Sequence, residues 1–106
     1  MEELLDKALL FDYYSELLTE TQRRIYEEVI LEDYSESEIA LDEKISRQGV
    51  HDMIKRTQKL LLDYEKKLGL VKKHKEKAAL ITDIETAIKK EDLTSVEKAV
   101  NALKEL

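Results

Sequence analysis

The chain has no proline and only two glycines among its 106 residues. Those two residue types supply most of the positive-φ and fixed-φ positions that tight turns need, so a fold with many corners, such as a β-sandwich or barrel, lacks its building material. Long, uninterrupted helix is what remains. Charged residues make up 40% and apolar residues 42%, a balance that suits helices with one buried stripe and one solvated face. The expected class is therefore all-α, with apolar residues enough for a single core at this length. There is no cysteine, hence no disulfide framework and no thiolate metal site, and His51 and His74 have no partner at helical ligand spacing. No metal or other cofactor is expected. The opening MEELLDKALL sets acids ahead of a short apolar run, the wrong charge for a signal peptide, and no apolar run approaches the ~20 residues that span a bilayer. A cytoplasmic protein with no membrane partner is expected.

Charge is segregated along the chain. Residues 1–43 hold 3 Lys or Arg against 14 Asp or Glu, residues 44–77 hold 11 against 4, and residues 78–106 hold 4 against 6. A basic block of net +7 thus sits inside a chain of net −6. Such a block either makes a local positive field that captures phosphate, or is a solvated helix face answered by the acidic helices before it.

Periodicity and capping signals divide the chain into helices. Leu5, Leu9, Leu10, Tyr14, Leu17 and Leu18 form an apolar stripe over about residues 3–18. TETQ, with Thr19 and Gln22, is a capping box that opens a second helix, buried through Ile25, Tyr26, Val29 and Ile30 and ending near Glu32. SESE repeats the device with Ser35 and Glu38, opening a short helix to about Glu43. Ser46 then caps a fourth helix in which Val50, Ile54, Thr57, Leu61, Tyr64 and Leu68 make a continuous seam, with Gly69 as its left-handed stop. A fifth helix is expected over about 71–90. Thr94 with Glu97 reads as a third capping box, starting a last helix that folds back on the fifth. Residues 1–70 are expected to form one domain, and 71–106 a hairpin packed on the same core or on a second copy of the chain.

A short capped helix, a three-residue turn and a longer capped helix, preceded by two others, is the order of a helix-turn-helix, whose second helix enters the DNA major groove. Ile45 is expected to plug the turn, Val50 and Ile54 to close the core, and Ala40 to cross Gly49 closely. Arg47, Gln48, His51, Asp52, Lys55, Arg56 and Lys59 are left to face outward. Arg and Gln suit guanine and adenine edges, Lys and a distal Arg suit phosphate, and Ser46 offers its cap and the helix N-terminal amides to a phosphate.

The tract from Leu9 to Leu70, above all LLTETQR, SESEIA, ISRQGV, IKRT and YEKKLGL, resembles the YlxM-like family of helix-turn-helix proteins, which are related to region 4 of bacterial primary sigma factors. The resemblance implies a tri-helical, winged-helix-type core without the wing, in a cytosolic bacterial regulator linked to the signal recognition particle pathway, with no established catalytic activity. Where the family has an apolar residue and then glycine before the turn, this chain has Glu43 and Lys44 in LDEKIS. The turn is therefore expected to depart from the family's form, with Leu41 supplying the lost apolar contact. Gly49 stands where the family has alanine.

Neighbouring His51 and Asp52 point about 100° apart on a helix and no nucleophile accompanies them, so an enzyme is not expected. Glu28 and Glu32 read as an acidic helix face and the five tyrosines as mainly core. Two readings follow. The first is a nucleic-acid-binding module, with DNA as the natural ligand, RNA as an alternative and a homodimer as one way to bind. The second is a protein-interaction module that binds a component of the signal recognition particle machinery, with the helix-turn-helix as scaffold.

Overall fold

The computed structural model describes residues 2–106, with side chains from Leu4 onward. Glu2 and Glu3, which carried the signal-peptide argument, have side chains outside the described set. The described residues are helical throughout, without a strand: α1 Glu2–Tyr14, a 3-10 turn Ser15–Leu17, α2 Glu20–Tyr26, a π-turn Glu27–Leu31, α3 Glu36–Glu43, α4 Arg47–Leu68, α5 Leu70–Lys89 and α6 Leu93–Lys104. They form two compact units, Met1–Gly69 and Leu70–Leu106.

In the first unit, Ile25 of α2, Ile39 and Ala40 of α3 and Val50 of α4 are buried together, with Val29, Met53 and Ile54 packed around them. Full burial of each large aliphatic side chain contributes about 1.5–3 kcal/mol. α1 closes the other side of α4 through aromatic residues. Phe11 stacks on Tyr26 with ring centroids 5.9 Å apart, Tyr14 meets Tyr64 at 6.0 Å, and the fully buried Tyr14 donates its hydroxyl to Glu65 Oε1 at 2.6 Å. The hydroxyl of Tyr26, also fully buried, donates to Gln58 Oε1, and burial pushes its pKa up to about 12. Buried Tyr hydroxyls need such partners. Thr57 Oγ1 has none among the described residues, although Thr57 lies in the core.

Several expectations are corrected. The first helix stops at Tyr14, and the 3-10 turn then leads to Leu18, whose N–H donates to Ser15 O at 3.0 Å. Leu5 and Leu17 are exposed, while Phe11, absent from the expected stripe, is buried. The second helix widens into its π-turn, with Glu32 N–H donating to Glu27 O at 3.0 Å. Val29 and Ile30 lie within this wider turn and are half-buried, Val29 still packed against the core. Thr19 and Gln22 do form the reciprocal capping box, and Ser35 and Ser46 accept the amides of Glu38 and Gly49 at 3.1 and 2.9 Å.

The turn between α3 and α4 keeps the left-handed form despite lacking glycine. Lys44 itself sits at φ 58°, ψ 42°, and Ile45 N–H closes the turn onto Ala40 O at 3.1 Å. That bond, with the Lys44 N–H also reaching Ala40 O, satisfies the end of α3 and offsets the roughly 1–2 kcal/mol that a side chain costs in this conformation. Glu43 is not an unpaired core charge, because Arg24 of α2 clamps it with two bonds of 2.8 and 2.9 Å. The guanidinium holds the Glu43 carboxyl below its ordinary pKa and is itself raised. Leu41 supplies no core contact, since it is 81% exposed. Ile45 is only partly withdrawn from solvent and lies over Gly49, whose added Cβ would stand 3.8 Å from it and 3.1 Å from Ser46 Oγ. The small residue at 49 thus faces its own cap and the turn.

Along α4 the seam holds at Val50, Thr57 and Leu61, which are buried, weakens at the half-buried Ile54 and Tyr64, and ends at an exposed Leu68. Gly69 stops the helix at φ 64°. In the second unit α6 packs back on α5 after a turn in which Glu91 takes φ 56°. Asp92 caps α6, accepting the Ser95 amide at 3.1 Å and the Ser95 hydroxyl at 2.6 Å. The cap therefore falls two residues before the expected Thr94, because the carboxylate is the stronger acceptor for helix amides. These bonds hold the Asp92 carboxyl below its ordinary pKa.

Candidate nucleic-acid interface

α3, the Lys44 turn and α4 bring the residues singled out in the sequence to one side of the first unit. Ser46 is exposed and spends its hydroxyl on the Gly49 amide. Arg47, Gln48, Asp52, Lys55, Arg56 and Lys59 are exposed, and His51 is half-buried. At about 100° per residue, Gln48, Asp52, Lys55 and Lys59 share the face opposite Val50 and Leu61, with Arg56 on one flank and Arg47 and His51 on the other. From Gln48 to Lys59 the face runs about 16 Å.

These side chains are not equally free. His51 Nδ1 lies 3.0 Å from Glu36 Oε2, and since a carboxylate only accepts, Nδ1 carries the proton and donates. This pair joins the first turn of α3 to α4. Gln48 Nε2 donates to Asp52 Oδ1 at 2.9 Å. Arg47, Lys55, Arg56 and Lys59, by contrast, form no ion pair among the described residues. Of the acids that precede α4, Glu43 pairs with Arg24 and Glu36 with His51.

Glu36, Arg47, Gln48 and His51 line an open cleft of ≈ 440 Å³. In the sequence Glu36 shows only as part of the SESE capping tract. Its link to His51 spans 15 residues, a distance no local pattern encodes. A second groove, ≈ 460 Å³ between α5 and α6, is lined by mixed charges that include Asp83, Lys90 and Lys98, and by the capping pair Asp92 and Ser95. Among the described residues no group of three or more His, Cys, Asp or Glu is placed to hold a metal ion, and no helix is long and apolar enough to cross a membrane.

Comparison with known proteins agrees with this geometry. Residues 1–101 match the family described as "Putative helix-turn-helix protein, YlxM / p13 like". A UPF0122 protein of Symbiobacterium thermophilum is 38% identical over 98% of this chain and 97% of its own length. UPF0122 proteins of Caldanaerobacter subterraneus and Listeria monocytogenes are 48% and 44% identical, covering 82% and 79% of this chain and 74% and 76% of their own lengths. The chain belongs to the YlxM/p13-like family of helix-turn-helix proteins.

Proposed function

We propose that this chain is a nucleic-acid-binding regulatory protein that lays the N-terminal half of α4 in the major groove of duplex DNA, with Ser46, Arg47, Gln48, His51, Asp52, Lys55, Arg56 and Lys59 as its contact set. The observation that carries the reading is the exposed, unpaired state of Arg47, Lys55, Arg56 and Lys59 on a helix of a net-acidic chain. Cations left without carboxylate partners keep their field for an external polyanion. The helix-turn-helix order supports duplex DNA over A-form RNA, whose major groove is too narrow for a helix, so RNA would be met at loops or distorted segments. The family resemblance supports a cytoplasmic role beside the signal recognition particle pathway.

Fluorescence anisotropy of labelled duplex DNA and of signal recognition particle RNA, titrated at several salt concentrations, tests this. Four neutralised phosphates give a slope of log affinity on log salt of about −3 to −4, and Arg47→Ala/Arg56→Ala reduces its magnitude by about 2. The ligand bound more tightly names the target. Absence of binding to both at low salt refutes the reading and leaves the α4 face as a protein-interaction surface.

A further inference from the structure

Between Arg47 and Lys59 the outer face of α4 carries one acid among its cations, and its position is the informative feature. Asp52 is exposed four residues after Gln48, and the two are joined by the 2.9 Å hydrogen bond from Gln48 Nε2. On an undirected phosphate-binding face a carboxylate is a defect, since it repels the ligand. It is tolerated where the surface opposite presents amino donors, and in the major groove those lie on the floor, between the two backbones. The neighbouring cations fit that cross-section. Lys55 and Arg56 leave the axis about 100° apart, some 40° to one side and 60° to the other of the line midway between Gln48 and Asp52. Arg56 is thus turned toward one rim, while Lys55, about 20° from Gln48, lies beside the amide–carboxylate pair on the other side.

The pair also fixes what Gln48 can read. A free glutamine amide turns over and offers its donor and acceptor in either order. Here only Nε2 can face Asp52, because a carboxylate has no proton to give. Gln48 is left with Oε1 as acceptor and one remaining Nε2–H as donor, in a set order. Adenine shows the complementary pattern on its major-groove edge, an N6 donor beside an N7 acceptor, whereas guanine shows two acceptors.

We infer that Gln48 is a base-reading residue for adenine and that Asp52 is its positioning residue, giving α4 a sequence preference at one base pair flanked by nonspecific phosphate contacts from Lys55 and Arg56. This inference rests on the DNA-binding reading above. It is tested by selecting duplexes from a random-sequence pool with the full chain at low salt, then measuring competition by duplexes changed at single positions. The wild type selects an adenine whose replacement by guanine weakens binding about tenfold. Gln48→Ala loses that preference, binding the adenine and guanine duplexes with equal affinity. Asp52→Ala weakens the preference yet binds all duplexes more tightly, because a negative charge has been removed. Asp52→Glu keeps an acceptor-only partner for Gln48 and so retains the preference, whereas Asp52→Asn, whose amide can also donate to Gln48 Oε1, leaves the order unset. Salt-dependent binding without base preference, or an adenine preference that survives Gln48→Ala, overturns the inference and leaves the DNA-binding reading standing. Failure to bind any duplex overturns both.

Discussion

Replacing Lys44 by glycine isolates the strain in the turn that positions α4. Lys44 sits at φ 58°, ψ 42°, where a Cβ crowds the following carbonyl at a cost of roughly 1–2 kcal/mol. Glycine removes that cost but frees the unfolded chain, giving back about 0.4–1 kcal/mol. No hydrogen bond or ion pair made by the Lys44 side chain among the described residues is lost. Lys44→Gly is therefore expected to stabilise the first unit by about 0.5–1 kcal/mol. The mirror experiment is Gly69→Ala, at φ 64° with no atom within 4 Å of the added Cβ, where backbone strain acts alone and a loss of similar size is expected. All five tyrosines lie between Tyr13 and Tyr64, and there is no tryptophan, so urea unfolding followed by tyrosine fluorescence reads the first unit. The midpoint should rise for Lys44→Gly with an unchanged slope. A neutral or lowered midpoint for Lys44→Gly alongside a destabilised Gly69→Ala would refute the claim that the turn is strained, and would mean that the Lys44 side chain contributes to the fold.

Other substitutions probe the same unit. Thr57→Val removes a buried hydroxyl without a partner and should stabilise by about 1 kcal/mol in the same urea assay. Gly49→Ala exchanges the poorest ordinary helix former for the best, and with Ser46 Oγ the tightest neighbour at 3.1 Å it should gain about 0.5–1 kcal/mol; a loss would show that the cap cannot yield. Arg24 lowers the folded pKa of Glu43, so this pair's contribution is complete above the unfolded carboxylate pKa and is lost as pH falls through the lower folded value. Glu43→Gln should accordingly flatten the acid limb of a stability–pH profile. Tyr26 is shifted the other way, to about 12. Its contribution is complete below the unfolded value of about 10 and declines as pH rises to the folded one, so Tyr26→Phe should reduce the alkaline loss of stability.

The sequence by itself determined the helical class and most helix starts, because these follow from local chemistry. Without proline, and with Ser or Thr placed three residues before a free amide at Thr19, Ser35 and Ser46, the backbone has few alternatives to capped helix. Gly69 likewise marks its own stop. The outward set on α4 was also legible, since a 3.6-residue period divides any amphipathic helix into a buried stripe and an exposed one. Local pattern failed where a competing acceptor lay nearby, as when Asp92 displaced Thr94 as cap, and where helix geometry changed within a run, as at the π-turn that holds the half-buried Val29 and Ile30.

What only the tertiary structure decided is the pairing of side chains remote in sequence. Glu43, standing where the family has an apolar residue, is paired by Arg24 from 19 residues earlier. His51 looked like an open contact residue until Glu36 took its Nδ1–H. Leu41 looked like the missing apolar anchor and instead points to water, because the Arg24 clamp and the left-handed Lys44 fix how α3 ends. The physical reason is common to these cases. Ionic and hydrogen-bond partners are chosen by separation in space, which depends on how helices cross, whereas caps and amphipathic stripes depend on separation along the chain.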